Sequence, residues 1–96
     1  MKNYEEMSDF EINCRVHAEI MQISGLNSFK AKDYCSNPAD AWPIIVENHI
    51  AVVPYQYTIP QAWPTAFGVA SKFTTEDRNP LRAAMIVFLK MNEEGL

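Results

Sequence analysis

The stretch Asn79-Pro80-Leu81-Arg82-Ala83-Ala84-Met85-Ile86-Val87-Phe88-Leu89-Lys90-Met91 decides the fold. Asparagine followed by proline is a helix start, because the asparagine side chain caps free backbone N–H groups and proline has its φ preset and lacks an N–H that would have no partner. Beyond the cap the helix is apolar almost all round, apart from Arg82 and Lys90. A helix without a solvent face belongs in the middle of a domain, covered on more than one side. The rest of the chain must then be arranged around it.

Asn37-Pro38-Ala39-Asp40-Ala41-Trp42-Pro43-Ile44-Ile45-Val46 aligns with that stretch on its proline and offers the same cap a second time. Two copies with different lengths and flanks are one capping solution used twice, since repeat arrays stack more units than this. Pro43 leaves two starts open for this helix, at Asn37-Pro38 or with Asp40 as cap, the latter keeping Pro43 in the first turn. Either way Ile44, Ile45 and Val46 are expected in the core, Trp42 is expected to pack there, and Glu47-Asn48 closes the segment.

Upstream, Ser8-Asp9-Phe10-Glu11 has the form of a capping box. Ile12, Val16, Ile20 and Ile23 recur at helical spacing, and Phe10, Cys14 and Met21 form a second apolar strip, so this helix is expected to pack on two sides. Phe10 to Ile20 also alternates as a half-buried strand would. The cap, the length, the glycine at Gly25 and the polar Asn13, Arg15, Glu19 and Gln22 together favour helix. Residues 26–36 read as a connection, with Phe29 and Tyr34 available to pin it to the core.

His49-Ile50-Ala51-Val52-Val53 has the β-branched content of a strand, and Tyr55-Gln56-Tyr57-Thr58-Ile59 the alternation of another. Pro54, Pro60 and Pro64 confine both to short edge strands or irregular extended pieces, and Gln61 to Ala70 is available as the returning strand of a hairpin. Thr74 to Arg78 reads as a polar connection. The fold class is α+β in a single domain: two N-terminal helices, a short antiparallel β-hairpin or small sheet, and a central C-terminal helix.

Composition narrows the function classes. With 8 Lys+Arg against 12 Asp+Glu, the net charge of −4 argues against a protein that holds nucleic acid chiefly by neutralising phosphates. The 2 cysteines, Cys14 and Cys35, read as free thiols, since one bridge is optional in a chain with 48% apolar residues. The acidic, polar N-terminus has no secretory pattern, which points to the cytoplasm. The apolar run Ala83–Leu89 is far short of the ~20 residues that span a bilayer, so no membrane partner is expected.

Ser8 through Asn13, Asn37 through Asn48 and Asn79 through Met91 resemble the hallmark stretches of the phage NinX family, found in temperate phages and prophages of enteric bacteria. The resemblance covers roughly the first half and the last fifth of the chain and is weaker over residues 49–78. It implies a small accessory protein made in the host cell cytoplasm, from a phage region that also resembles a store of recombination, DNA-processing and host-interference genes. It implies no reaction.

The residues themselves supply little chemistry. There is no phosphate loop, zinc motif, nucleophile elbow or Ser/His/Asp order, so no enzyme and no cofactor is expected. Cys14 and His17 share a helical face, and Cys35 and His49 would complete four zinc ligands, but structural sites draw on close sequence pairs and only one such pair is present. No metal is expected. A small enzyme would need a pocket gathering His17, His49 or the cysteines with an acid such as Asp40.

Tyr55, Tyr57, Trp63 and Phe67 lie in a segment rich in aromatics and prolines and poor in charge, a composition found at interface centres. They are the candidate partner-binding residues, and a host or phage protein is the expected partner. Arg78 and Arg82 flank the start of the last helix, where backbone N–H groups favour an anion. With Lys30 and Lys32 they are the candidate anion or nucleic-acid contacts, the alternative being that both arginines balance nearby acids such as Glu76 and Asp77. A homo-oligomer is left open.

Overall fold

The computed structural model describes residues 3–21 and 31–95. A single 3-10 turn at Tyr4–Glu6 is followed by α1 (Asp9–Met21), α2 (Pro38–Glu47), β1 (Ile50–Val53), β2 (Gln61–Pro64), β3 (Thr75–Glu76) and α3 (Pro80–Glu93). The architecture is α+β. Helix α3 packs against α1, α2 and all three strands, as its unbroken apolar surface demands. Every residue from Arg82 to Lys90 is buried. Each fully buried isoleucine, valine or methionine in that run contributes about 1.5–3 kcal/mol of hydrophobic stabilisation. Ala83 and Ala84, fully buried, keep the neighbouring elements close.

Both Asn-Pro caps form. The Oδ1 of Asn37 accepts from Ala39 N at 3.0 Å, and that of Asn79 accepts from Leu81 N at 3.0 Å and Arg82 N at 3.3 Å. Helix α2 therefore starts at Pro38 and carries Pro43 inside it, while Asp40 accepts instead from Asp33 N. Ala41, Ile44 and Ile45 face the core, but Trp42 is 62% exposed and Val46 50% exposed, against expectation. At 3.6 residues per turn Trp42 and Val46 share one stripe, and Ala41, Ile44 and Ile45 share another. Only the second meets α3 and β1.

Helix α1 begins at the capping box, with Ser8 Oγ accepting from Glu11 N at 3.1 Å, while the Glu11 carboxylate takes Arg15 of the next turn. Ile12, Cys14 and Val16 are buried, whereas Phe10, Ile20 and Met21 are exposed. Among the described elements, the helix makes its main contact with α3. Asn13, which the sequence places on the solvent side, is buried: it donates to Asp33 Oδ1 at 3.1 Å and accepts from Cys35 N at 3.0 Å, stapling the 33–35 turn onto the helix. Tyr34 is buried in that turn, as anticipated. Gly25, Ile23, Gln22 and Phe29 lie outside the described residues.

The sheet has the order β1-β2-β3, all antiparallel. The partner of β1 is Gln61–Pro64, and the alternating Tyr55-to-Ile59 segment is a loop rather than a strand. Pro54 and Pro60 bracket that segment and deprive a ladder of donors at each end. Thr65 N donates to His49 O at 2.9 Å, which fixes the alternation of bonded and non-bonded pairs along β1 and β2. The nitrogen of Pro64 thus faces away from β1, toward a side that β3 does not reach. This is how a proline fits in the central strand.

Thr75–Glu76, read from sequence as a polar connection, forms β3 because Lys90 draws it in. Lys90 Nζ is buried and donates to Thr75 Oγ1 at 2.9 Å and to Glu5 Oε2 at 3.0 Å. Arg82 does the same at the other end of α3. Its Nε donates to Asp77 Oδ2 at 3.0 Å, Nη1 to Asp9 Oδ1 at 2.7 Å, and Nη2 to the carbonyls of Tyr4, Glu5 and Met7. With Tyr4 Oη donating to Glu93 at 2.7 Å, the first residues run antiparallel along α3. Arg82→Ala leaves two carboxylates and three carbonyls without their donor. It is expected to lower unfolding free energy by about 3–5 kcal/mol, read from urea denaturation, and to expose the segment before α1 to proteolysis.

Candidate functional site

The loop between β1 and β2 is the most exposed aromatic feature. Tyr57 is 91% exposed, Tyr55 39% and Ile59 44%. Together with Gln56, Thr58, Pro60 and Arg78 these residues line one shallow hollow of about 660 Å³. Asp77 N donates to Pro60 O at 3.1 Å, which ties the far end of the loop to the chain leaving β3 and brings Arg78 to it. Tyr55, Tyr57 and Arg78 therefore come together. Trp63 is half-buried on β2, and Phe67 is exposed beyond it, its ring 5.8 Å from that of Phe73; neither lines the hollow.

The four basic candidates separate. Lys30 lies outside the described residues, and Lys32 is exposed. Arg82 is buried and engaged with Asp9 and Asp77, so its charge is turned to the interior. Burial opposes its charge, but the hydrogen bonds it donates to Asp9 and Asp77 outweigh that and hold the guanidinium more firmly protonated than usual. Arg15 pairs with Glu11, Lys72 with Glu94 and Lys90 with Glu5. Among the described residues, Lys32 and Arg78 are the cations without an ion-pair partner.

The potential reactive groups do not converge. His17 Nδ1 stands 3.3 Å from the Tyr34 hydroxyl, and His49 is exposed at the end of α2. Cys14 and Cys35 are free and buried. Among the described residues no three of His, Cys, Asp and Glu are placed to hold a metal ion. Burial, reinforced by the Asp9 carboxylate, pushes the Cys35 thiol up to about 12, so at neutral pH it is not a thiolate nucleophile. Burial also raises Tyr34, with the charge of Asp40 adding to it.

A second surface is not signalled by any motif. Trp42, Ile45 and Val46 of α2, with His49, Ile50, Val52 and Thr65, line an apolar cleft of about 330 Å³ between the helix and β1. His49 has φ of 53°, a left-handed conformation that suits glycine, adopted where the chain turns out of α2. The sequence did hold a clue to this cleft. Trp42 and Val46 are four apart, on a different stripe from Ala41, Ile44 and Ile45.

The chain is thus a small α+β fold that buries Arg82 and Lys90 in its interior and leaves apolar side chains at the margins of its sheet. A family model described as Bacteriophage P22, NinX matches residues 3–92, and the chain belongs to that family. The match runs through residues 49–78, where the hallmark stretches are absent. No curated protein and no solved structure matches the chain. Among the described residues no helix is long and apolar enough to cross a membrane.

Two measurements check the local physics. Cys35 and Tyr34 hold their protons more tightly when folded, so their contribution is complete below about pH 9 and is lost as pH rises through the raised values. Urea midpoints should fall between pH 9 and 12, and more gently in Cys35→Ala. Replacing His49 by glycine removes the left-handed penalty and should raise stability by about 1 kcal/mol, seen as a higher thermal midpoint.

Proposed function

We propose that the chain is a non-enzymatic phage accessory protein that acts in the host cytoplasm by binding a host or phage protein through the 54–60 loop and Arg78. Host interference or anti-defence is the role this fits. The observation that carries the reading is the hollow that gathers Tyr55, Tyr57, Ile59 and an arginine with no ion-pair partner. Tyrosine and arginine are the residue types that dominate interface energetics, because they bring large contact area and directional donors at modest entropic cost. Water-exposed tyrosines on a short loop contribute little to the fold, so their substitution separates binding from stability.

A nucleic-acid-associated role in phage recombination or replication has less support. Of the six described basic residues, Arg82 and Lys90 are buried in ion pairs, and Arg15 and Lys72 pair with acids at the surface. Too few free cations remain to neutralise several phosphates.

A tagged protein and its Tyr57→Ala/Arg78→Ala variant, drawn through host lysate with and without nuclease, discriminate the two. The expected result is a protein retained after nuclease treatment by the unmodified chain and bound about tenfold more weakly by the variant, at an unchanged thermal midpoint. Recovery that vanishes with nuclease, or that the variant leaves intact, overturns the reading.

A further inference from the structure

The exposed edge of the sheet carries a second and independent site. Residues 51 and 53 of β1, like residue 49 just before it, turn their backbone groups toward β2, since Thr65 N donates to His49 O and the pairing runs Ala51↔Trp63 and Val53↔Gln61. The N–H and C=O groups of Ile50 and Val52 therefore point outward. Among the described residues no group pairs with them. The opposite edge, β3, is only two residues long and is blunted by that shortness.

Natural sheets protect an open edge with charge, proline or a cover. Ile50-Ala51-Val52-Val53 has no charge and no proline, and its composition favours strand pairing. The apolar cleft lined by Trp42, Val46 and Val52 runs beside this same edge. An extended segment added to β1 places alternate side chains toward the α2 side of the sheet, because successive residues of a strand point to opposite faces. The cleft is where such side chains arrive.

Charge selects the occupant. Helix α2 carries Asp40 and Glu47 and no basic residue. Glu47 is the last residue of the helix, exposed and without an ion pair among the described residues, at the end where the helix dipole is already negative. A cation beside it relieves an arrangement that is unfavourable in the free protein. A second copy of this chain, with net charge −4, brings like charge to the same place.

We infer that the outer edge of β1 binds an extended segment of another protein, apolar at alternate positions and bearing lysine or arginine, by adding it as a fourth strand with a side chain seated against Trp42 and Val46. This is β-strand addition, in which main-chain hydrogen bonds hold the segment and the pocket reads its side chains. The site makes no use of the tyrosine loop.

The test uses the full chain and a capped six-residue probe, Lys-Val-Thr-Val-Thr-Lys, followed by amide NMR and hydrogen exchange. The expected result is saturable binding that slows exchange of the Val52 amide and leaves Ala51 and Val53, already bonded to β2, unchanged. Val52→Pro removes the outward donor without touching the β1–β2 ladder and should weaken the probe about tenfold or more. Should that variant not fold, Glu47→Lys serves: exposed at a helix end, it should weaken this probe severalfold and improve binding of the same peptide with glutamates in place of lysines. Tyr57→Ala/Arg78→Ala should bind the probe as the unmodified chain does, which keeps this site's failure distinct from failure of the loop. Equal binding by Val52→Pro, a Val52 amide that the probe does not protect, or a protein that sediments alone as a dimer with that amide already protected would each overturn the inference, the last by showing a second copy on the edge.

Discussion

The guanidinium of Arg82 is the constraint on which the remaining structure depends. It sits at the start of α3 and reaches carboxylates on α1 and on the chain after β3, together with three carbonyls before α1. Asn79, three residues earlier, caps the same helix and donates through Nδ2 to the carbonyl of Cys35, in the turn that leads to α2. One helix start thus fixes the positions of four chain segments. Because arginine stays protonated at any ordinary pH and presents its donors in a rigid fork, this junction holds direction as well as charge.

With the cations of α3 committed inward, what remains outside is decided by which faces α3 cannot cover. Ala62, Pro64 and Thr75 turn to it and are buried, while Ala51, Val53 and Trp63 take the alternate positions and are half-exposed. Helix α2 likewise gives α3 one stripe and leaves Trp42 and Val46 outside. The apolar surface at the margins of the domain follows from a sheet and helices that are too short to fold over both sides of themselves.

The helices were legible in the sequence because their signals are local and mutually consistent: a capping serine, two Asn-Pro starts and an apolar run too uniform for any surface helix. Strand pairing was not. Tyr55 to Ile59 alternates as well as any strand, and its flanking prolines allowed either a short edge strand or an irregular piece, so the choice of Gln61–Pro64 as the partner of β1 was left to the tertiary structure. β3 depends on Lys90, a residue far along the chain, so a window of neighbours could not reveal it. Of the candidate site, the exposed tyrosines were readable from composition. That β1 lies at an edge was readable from the prolines around it, but which of its backbone groups face outward was not, because that is a property of strand pairing. The pairing of Glu5 with Lys90 and Asp9 with Arg82 was present as complementary spacing, and became visible only once the N-terminal segment was seen to run against α3.

The position of α3 in the chain has a consequence for how the protein comes into being. The element against which the other helices and the strands pack follows all of them in the chain. While the ribosome is still adding residues before Pro80, α1, α2 and the strands have no common surface to bury, and Tyr4, Glu5 and Asp9 wait for partners that do not yet exist. The open edge of β1 is exposed throughout that interval. Folding is therefore deferred until α3 has been made and then closes contacts of long sequence separation in one step, a route that is slow by topology and makes the nascent chain a client for chaperones.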